Sequence, residues 1–219
     1  LYSSAASDVY KRQPQTWAFK AVPGEEIELF KQGLRDSGIG SVFLHAIYLI
    51  NLGTPSKETL EKGIDSLIKY MNLAAEVGAD GVIVHPGSHG GKGFEAVLGQ
   101  VGDALKVVLD ASPKGPVLAI ENMAGMGRHL GVKFDELAGI LNSVDSSQLK
   151  ICLDTQHAFA AGYNLADVEG IEPGLRGLPP GDTSFSCPGG ACDFLAFSIR
   201  PGEANSRFPL AGLQRHLQG

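Results

Sequence analysis

The stretch Lys150–Tyr163 reads K-I-C-L-D-T-Q-H-A-F-A-A-G-Y, and its apolar run of strand length stops at a carboxylate, Asp154. A histidine, His157, follows three positions later. Three earlier runs end in the same way: V-F-L-H at Val42–His45, G-V-I-V-H at Gly81–His85 and P-V-L-A-I-E at Pro116–Glu121. Each of the four runs therefore ends at a residue type that commonly binds metal ions.

The ends of these runs are regularly spaced, at intervals of 40, 36 and 33 residues. Each interval is about the length of one strand, loop, helix and return connection. Strands of a parallel sheet are buried on both faces and read as continuous apolar runs, as these do. The pattern predicts an α/β fold, a TIM (β/α) barrel, in which side chains at the C-terminal strand ends meet on one face. We expect His45, His85, Glu121 and Asp154 to meet there, with His157 close by.

Length and composition limit the fold and the partners. The chain has 219 residues, whereas a complete eight-unit barrel usually needs about 250. The strand and helix pattern itself contains about four to five recognisable βα units. No apolar run approaches the roughly 20 residues of a membrane span, which argues against a membrane partner. The net charge of −6 argues against a generally basic nucleic-acid binder, although divalent ions would reverse the charge locally. The three cysteines form no disulfide framework and are typical of a reducing compartment.

Helical periodicity fills the intervals between the strands. Apolar spacing predicts helices over Glu25–Ser37, after an N-terminal cap at Thr54–Pro55, from Phe94 onward and around Phe134–Leu141. Gly78 is placed to end the second helix. The loop Pro86–Gly93, P-G-S-H-G-G-K-G, has two interpretations. It is either a phosphate-binding cradle, although it lacks P-loop spacing, or a set of sharp backbone turns.

The two ends of the chain differ from its centre. Residues 1–13 lack the features of a signal peptide, and we interpret them as a leader that is not native to the fold. Residues 14–167 are predicted to form a partial TIM-barrel domain. Residues 168–219 are rich in glycine and proline and form a tail without the strand and helix pattern.

The proposed ligands suit a catalytic metal site. A histidine on an apolar strand is usually structural, so the argument rests on the joint placement of all four strand ends. Imidazole and carboxylate ligands without thiolate favour zinc, manganese or iron(II), and several of them together favour a multi-metal cluster for phosphoryl transfer. Tyr48 and Leu49 follow the first strand and have two interpretations. They either pack on the next helix or form an exposed wedge that enters a base stack.

Four motifs together resemble the endonuclease IV family of abasic-site endonucleases. They are H-A-I-Y-L-I-N-L at His45–Leu52, H-P-G-S-H at His85–His89, E-N-M-A-G-M-G at Glu121–Gly127 and C-L-D-T-Q-H-A-F-A-A-G-Y at Cys152–Tyr163. The resemblance implies a TIM barrel that holds up to three zinc ions. It also implies a partner, double-stranded DNA with abasic sites. Such enzymes cut the phosphodiester 5′ to the lesion and leave a 3′-hydroxyl and a 5′-deoxyribose phosphate, in base excision repair.

The resemblance also assigns roles to individual residues. It implies that His45 and His85 hold the first zinc and that Glu121, the catalytic residue, bridges it to the second. Asp154 would help to hold the second zinc and His157 the third. Tyr48 and Leu49 match the positions that insert into DNA at the lesion, which favours the wedge interpretation.

The sequence also departs from the family pattern. The family's further ligands, a histidine, an aspartate–histidine motif and a late glutamate, are not found, and His216 matches none of them. The first barrel strand is also missing or replaced. We therefore interpret the chain as a truncated barrel with unpaired sheet edges, whose own activity the sequence does not decide.

Two alternatives to the endonuclease remain open. One is a sugar isomerase or epimerase of related barrel design, which also gathers Glu, Asp and His around a divalent ion. The other is a non-catalytic fragment. The sequence indicates no protein partner, and without a visible export signal we expect a cytoplasmic protein, associated with the nucleoid.

Overall fold

The computed structural model describes residues 16–37, 39 and 41–164, and the backbone of Phe194–Phe197. The expectations for residues 1–13, for most of 168–219 and for His216 lie outside the described residues. Within the described ranges, no helix has both the length and the apolar character needed to cross a membrane.

Four parallel strands form the sheet in chain order. They are β1 (Phe43–His45), β2 (Gly81–Val84), β3 (Val117–Glu121) and β4 (Leu149–Asp154). Helices alternate with these strands, as in a (β/α) barrel, so the prediction of a partial TIM barrel is confirmed. Three of the predicted strand ends coincide with the observed ones, and β2 ends one residue before His85.

A fifth strand, β5 (Phe194–Phe197), lies antiparallel on the outer edge of β4. Phe194 is aligned with Asp154 and Phe197 with Ile151. The sequence pattern predicts an irregular tail for this segment and unpaired edges for the sheet. That expectation is wrong at β4, because the backbone of β5 pairs with it along four residues.

The helices are α1 (Gly24–Ser37), α2 (Lys57–Val77), α3 (Phe94–Asp110), α4 (Phe134–Val144) and α5 (Thr155–Ala160). The sequence predicts Thr54 as the N-cap of α2 and Pro55 as its first residue, but the N-cap lies two residues later, at Ser56. The Ser56 hydroxyl accepts a hydrogen bond from the Thr59 amide and is the N-cap. Thr54 Oγ1 accepts instead from the Ser56 amide and forms the turn before the helix. Gly78 ends α2 in the left-handed region, with φ of 75°, as predicted.

The main core lies between the sheet and helices α2, α3 and α4. Its fully buried side chains include Leu67, Leu105, Leu118, Ile140 and Ile151. By contrast, α1 buries no residue completely: Ile27 packs against the core, whereas Phe30 is 42% exposed. The covering helices therefore fix the positions of β1 to β4.

Candidate metal centre

Strand geometry places the proposed ligands on one face of the sheet. Phe43, Ile83, Ala119 and Cys152 form a small cluster separate from the main core, on the face away from the helices. His45, His85, Glu121 and Asp154 each follow one of these residues by two positions. Because strand side chains alternate between faces, the four ligand candidates project toward the inner side of the partial barrel. The parallel register brings them to the same edge.

The first group consists of His45, His85 and Glu121. Glu121 Oε2 lies 2.9 Å from His45 Nε2 and 3.2 Å from His85 Nε2. The Glu121 side chain is completely buried, and the two imidazole rings are nearly perpendicular, with centroids 5.0 Å apart. The three ligand atoms lie close enough to hold one metal ion.

The hydrogen bonds of this group favour a bound cation. His45 Nδ1 lies 2.9 Å from the Ala46 carbonyl, which can only accept, so Nδ1 carries the proton of the neutral ring. His45 Nε2 then directs a lone pair at the Glu121 carboxylate. Neither ring nitrogen of His85 has a hydrogen-bond partner among the described residues. The lone pairs of these imidazoles and of the Glu121 carboxylate therefore need a proton or a metal ion between them. Two imidazoles and one carboxylate are ligands that suit zinc.

The second group consists of Glu121, Asp154 and His157. His157 Nδ1 lies 3.2 Å from Glu121 Oε1 and 3.6 Å from Asp154 Oδ2. Asp154 Oδ1 accepts a hydrogen bond of 2.9 Å from the His157 amide and so caps α5. These three residues are also close enough to hold an ion. Glu121 belongs to both groups, with Oε2 toward the first and Oε1 toward the second.

The metal-free centre is strongly polarised. Burial raises the pKa of Glu121, but the neighbouring imidazoles of His157, His45 and His85 outweigh it, and the pKa falls far below its ordinary value. Burial lowers the pKa of His45, but its bond to Glu121 brings the net value above 6.5. The bond to Glu121 also raises the pKa of His157. Burial raises the pKa of Asp154. The centre therefore attracts cations, either protons or metal ions.

We expect metal binding to weaken steeply below neutral pH. His45 and His157 must be deprotonated to bind an ion, and their raised pKa values let protons compete at higher pH than for free imidazole. Zinc affinity should fall about tenfold per pH unit for each competing histidine. Chelator competition between about pH 5.5 and 7.5 measures this slope. His157→Asn should lower the slope by about one proton, and an affinity independent of pH would contradict the assignment.

The predicted wedge residues differ in exposure. Tyr48 is 59% exposed, and its ring lies edge-on to His85 with centroids 5.6 Å apart. Leu49 is half-buried and packs against the main core. Tyr48 thus stands at the rim of the metal centre, whereas Leu49 presents only part of its side chain to solvent.

The loop Pro86–Gly93 has most of its donors engaged within the protein. His89 Nδ1 accepts from the amides of Gly91 and Gly93, and Ser88 Oγ accepts from Gly90. Gly87 has φ of 94°, and a Cβ added there would overlap Asn51, whose Oδ1 accepts from the Ser88 amide. These contacts favour the interpretation of sharp backbone turns over a phosphate cradle, because a cradle needs free amides.

Two further residues near the centre were not singled out by the sequence analysis. Asn122, directly after Glu121, is 1% exposed and hydrogen-bonds the backbone of Asp154. The buried Nδ1 of His129 has no hydrogen-bond partner in the part of the chain that the structure describes, and burial together with His85 and His157 lowers the pKa of His129. Asn122 could have been found from the sequence, because a polar residue that directly follows a proposed ligand at a strand end also lies close to the site. His129 lies in an irregular loop, where sequence spacing gives no such signal.

Comparison with known proteins agrees with this architecture. A family model described as xylose isomerase-like TIM barrel matches residues 8–183. The chain belongs to this family. The probable endonuclease 4 of Halothermothrix orenii is 38% identical over 168 residues, which are 76% of this chain and 60% of the relative. The resemblance to the endonuclease IV family is thereby confirmed, and the chain spans about 60% of the curated relative's length.

Solved structures share this fold. The endonuclease IV of Thermus thermophilus superposes with a TM-score of 0.65 and 31% identity, over 80% of this chain and 66% of that one. A D-tagatose 3-epimerase-like protein superposes with a TM-score of 0.55 and 23% identity, over 68% of this chain and 57% of that one. The second similarity concerns the fold alone.

Proposed function

We propose that this chain carries the metal centre of a zinc-dependent DNA endonuclease that cleaves the phosphodiester 5′ to an abasic site. The observation that carries the proposal is Glu121, whose two carboxylate oxygens face two separate groups of ligands. A carboxylate shared between neighbouring ions is the arrangement expected for a multi-metal phosphoryl-transfer site. The similarity to endonuclease IV proteins supports the choice of DNA as substrate.

The residues of the centre have distinct roles in this proposal. His45 and His85 would hold the ion of the first group, and Asp154 and His157 would contribute to ion binding in the second group. The Nδ1 proton of His157 is directed at the Asn122 carbonyl, so its Nε2 is the atom available to an ion. Glu121 is the catalytic residue that joins the two groups. Bound zinc supplies the positive charge that offsets the negative charge developing on the phosphate oxygens. The products are a 3′-hydroxyl and a 5′-deoxyribose phosphate, and a repair role of this kind belongs in the cytoplasm, at the nucleoid.

The test is incision of a duplex that carries one stable abasic-site analogue and a 5′ label, with and without a chelator. We expect one cut 5′ to the lesion, which is lost with chelator and restored by zinc. His85→Ala should abolish the cut while leaving the chain folded. No cut by a folded, zinc-loaded chain would contradict the proposal. Epimerisation of a ketose by the same sample would favour the sugar-epimerase alternative, which shares the fold.

We expect the double variant Tyr48→Ala, Leu49→Ala to lower incision about 10-fold to 100-fold, because aromatic and apolar contacts with unstacked bases contribute roughly 1–3 kcal/mol each. Tyr48 is the exposed member of the pair, so Tyr48→Ala alone should account for most of the loss.

The matched control for the wedge is Phe30→Ala. Phe30 is also an exposed aromatic residue, but it lies on α1, which carries none of the proposed ligands. Zinc content should be unchanged in all these variants. Full incision by the double variant would exclude the wedge interpretation of Tyr48 and Leu49.

A further inference from the structure

Asn122 occupies the point where the β3 and β4 backbones separate at the metal centre. It is the first residue after β3, is 1% exposed, and carries no charge. The backbone N–H of Asn122 donates a hydrogen bond of 3.3 Å to the Cys152 carbonyl. The regular ladder between the two strands reaches Glu121 and Cys152, so beyond this pair another contact must hold the strands together.

The Asn122 side chain provides that contact by bonding both peptide groups of Asp154. Its Nδ2 donates to the Asp154 carbonyl at 3.1 Å, and its Oδ1 accepts from the Asp154 amide at 2.7 Å. The side chain thus replaces a neighbouring strand for this one residue. Asp154 is a proposed ligand and also the N-cap of α5, so its backbone position determines where α5 begins.

The Asn122 backbone acts on the next ligand. Its carbonyl lies 2.8 Å from His157 Nδ1. A carbonyl can only accept, so this contact places the ring proton on Nδ1 and leaves Nε2 with its lone pair available to an ion. The same residue therefore fixes the backbone of one ligand and the tautomer of the other.

We propose that Asn122 is a positioning residue for the half of the metal centre formed by Glu121, Asp154 and His157, an inference that rests on the metal-binding part of the proposed function. The other half is held differently. His45 ends β1, His85 follows β2, and their strands are fixed by the parallel ladder and the helix core. Loss of the Asn122 side chain should therefore affect one half of the centre selectively.

The experiment measures zinc ions per chain and their separate affinities, by chelator competition on the gel-filtered protein. In Asn122→Ala, the ion of the second half should lose affinity about 10-fold to 100-fold, the range typical for residues that orient metal ligands. The ion held by His45 and His85 should bind as in the wild type. Asn122→Leu keeps the branched shape of the side chain and leaves no cavity but lacks the hydrogen bonds, so an effect common to both variants comes from the lost bonds rather than from a cavity.

Gln148→Ala is the matched control. The Gln148 Nε2 also bonds two backbone carbonyls, those of Pro113 and Pro116, but it does so ahead of β3 and β4, at the opposite end of the sheet. Its loss should lower thermal stability while both zinc affinities remain unchanged.

Several results would overturn the proposal. They are wild-type affinity for both ions in the Asn122 variants, equal loss of both ions from a folded chain, and binding of a single ion by the wild type. A wild-type chain that binds two ions but leaves abasic DNA intact would refute the endonuclease and leave the role of Asn122 standing.

Discussion

Replacing Glu121 with glutamine is expected to remove stoichiometric zinc from both halves of the centre and to lower incision of abasic DNA at least about 1,000-fold, equivalent to roughly 4 kcal/mol. Glutamine preserves the shape of the completely buried side chain but removes its charge. Three imidazoles contact the two carboxylate oxygens, and among the described residues Glu121 alone serves both groups. Metal analysis and single-turnover incision measure the two effects.

Two comparison variants test whether Glu121 is a ligand of both metal groups or of one group only. His85→Ala should weaken only the ion of the first group, because His85 belongs to that group alone. Glu61→Ala removes a carboxylate that is 64% exposed on α2 and should change neither zinc content nor incision. If Glu121→Gln retained one tightly bound ion, the two groups would not share the carboxylate, and the proposed bridge would be wrong.

Replacing Leu118 with alanine should destabilise the fold by about 2–5 kcal/mol, a large share of the roughly 5–15 kcal/mol typical of a domain. Leu118 is the second residue of β3, is completely buried, and packs in the core between sheet and helices. Its truncation removes apolar contacts and leaves a cavity beneath the strand that carries Glu121. Urea unfolding of the metal-free protein, followed by circular dichroism, measures the loss.

The control for Leu118 is the same truncation at Leu29. Leu29 lies on α1 and is 67% exposed, so Leu29→Ala should change the free energy of unfolding by less than about 0.5 kcal/mol. Equal effects of the two substitutions would mean that the core between the sheet and the helices does not dominate stability.

The positions of the strand ends could be predicted from the sequence because parallel strands are buried on both faces. Each one is then a continuous apolar run, and the first residue that breaks the run marks its end. His45, Glu121 and Asp154 are the last residues of β1, β3 and β4, and His85 directly follows β2. The covering helices were predictable for a similar reason, since one apolar stripe faces the sheet.

Local competition between polar groups was less predictable. Thr54 and Ser56 are both suitable caps for α2, and a sequence alone does not say which hydroxyl reaches an unpaired amide. Ser56 reaches the Thr59 amide, while Thr54 bonds to Ser56. Likewise, Tyr48 and Leu49 are adjacent on one loop, yet only Tyr48 is exposed, because the path of the backbone directs Leu49 toward the core.

The sequence by itself determined the α/β class, the order of strands and helices, and the residue types that end each strand, because these depend on hydrophobic periodicity along the chain. The tertiary structure alone decided which carboxylate oxygen of Glu121 faces which group, that Asn122 fixes Asp154, and that β5 covers the edge of β4. These features join residues about 30 or more positions apart, and their distances depend on strand register and packing. Local sequence patterns contain no information on contacts of that range.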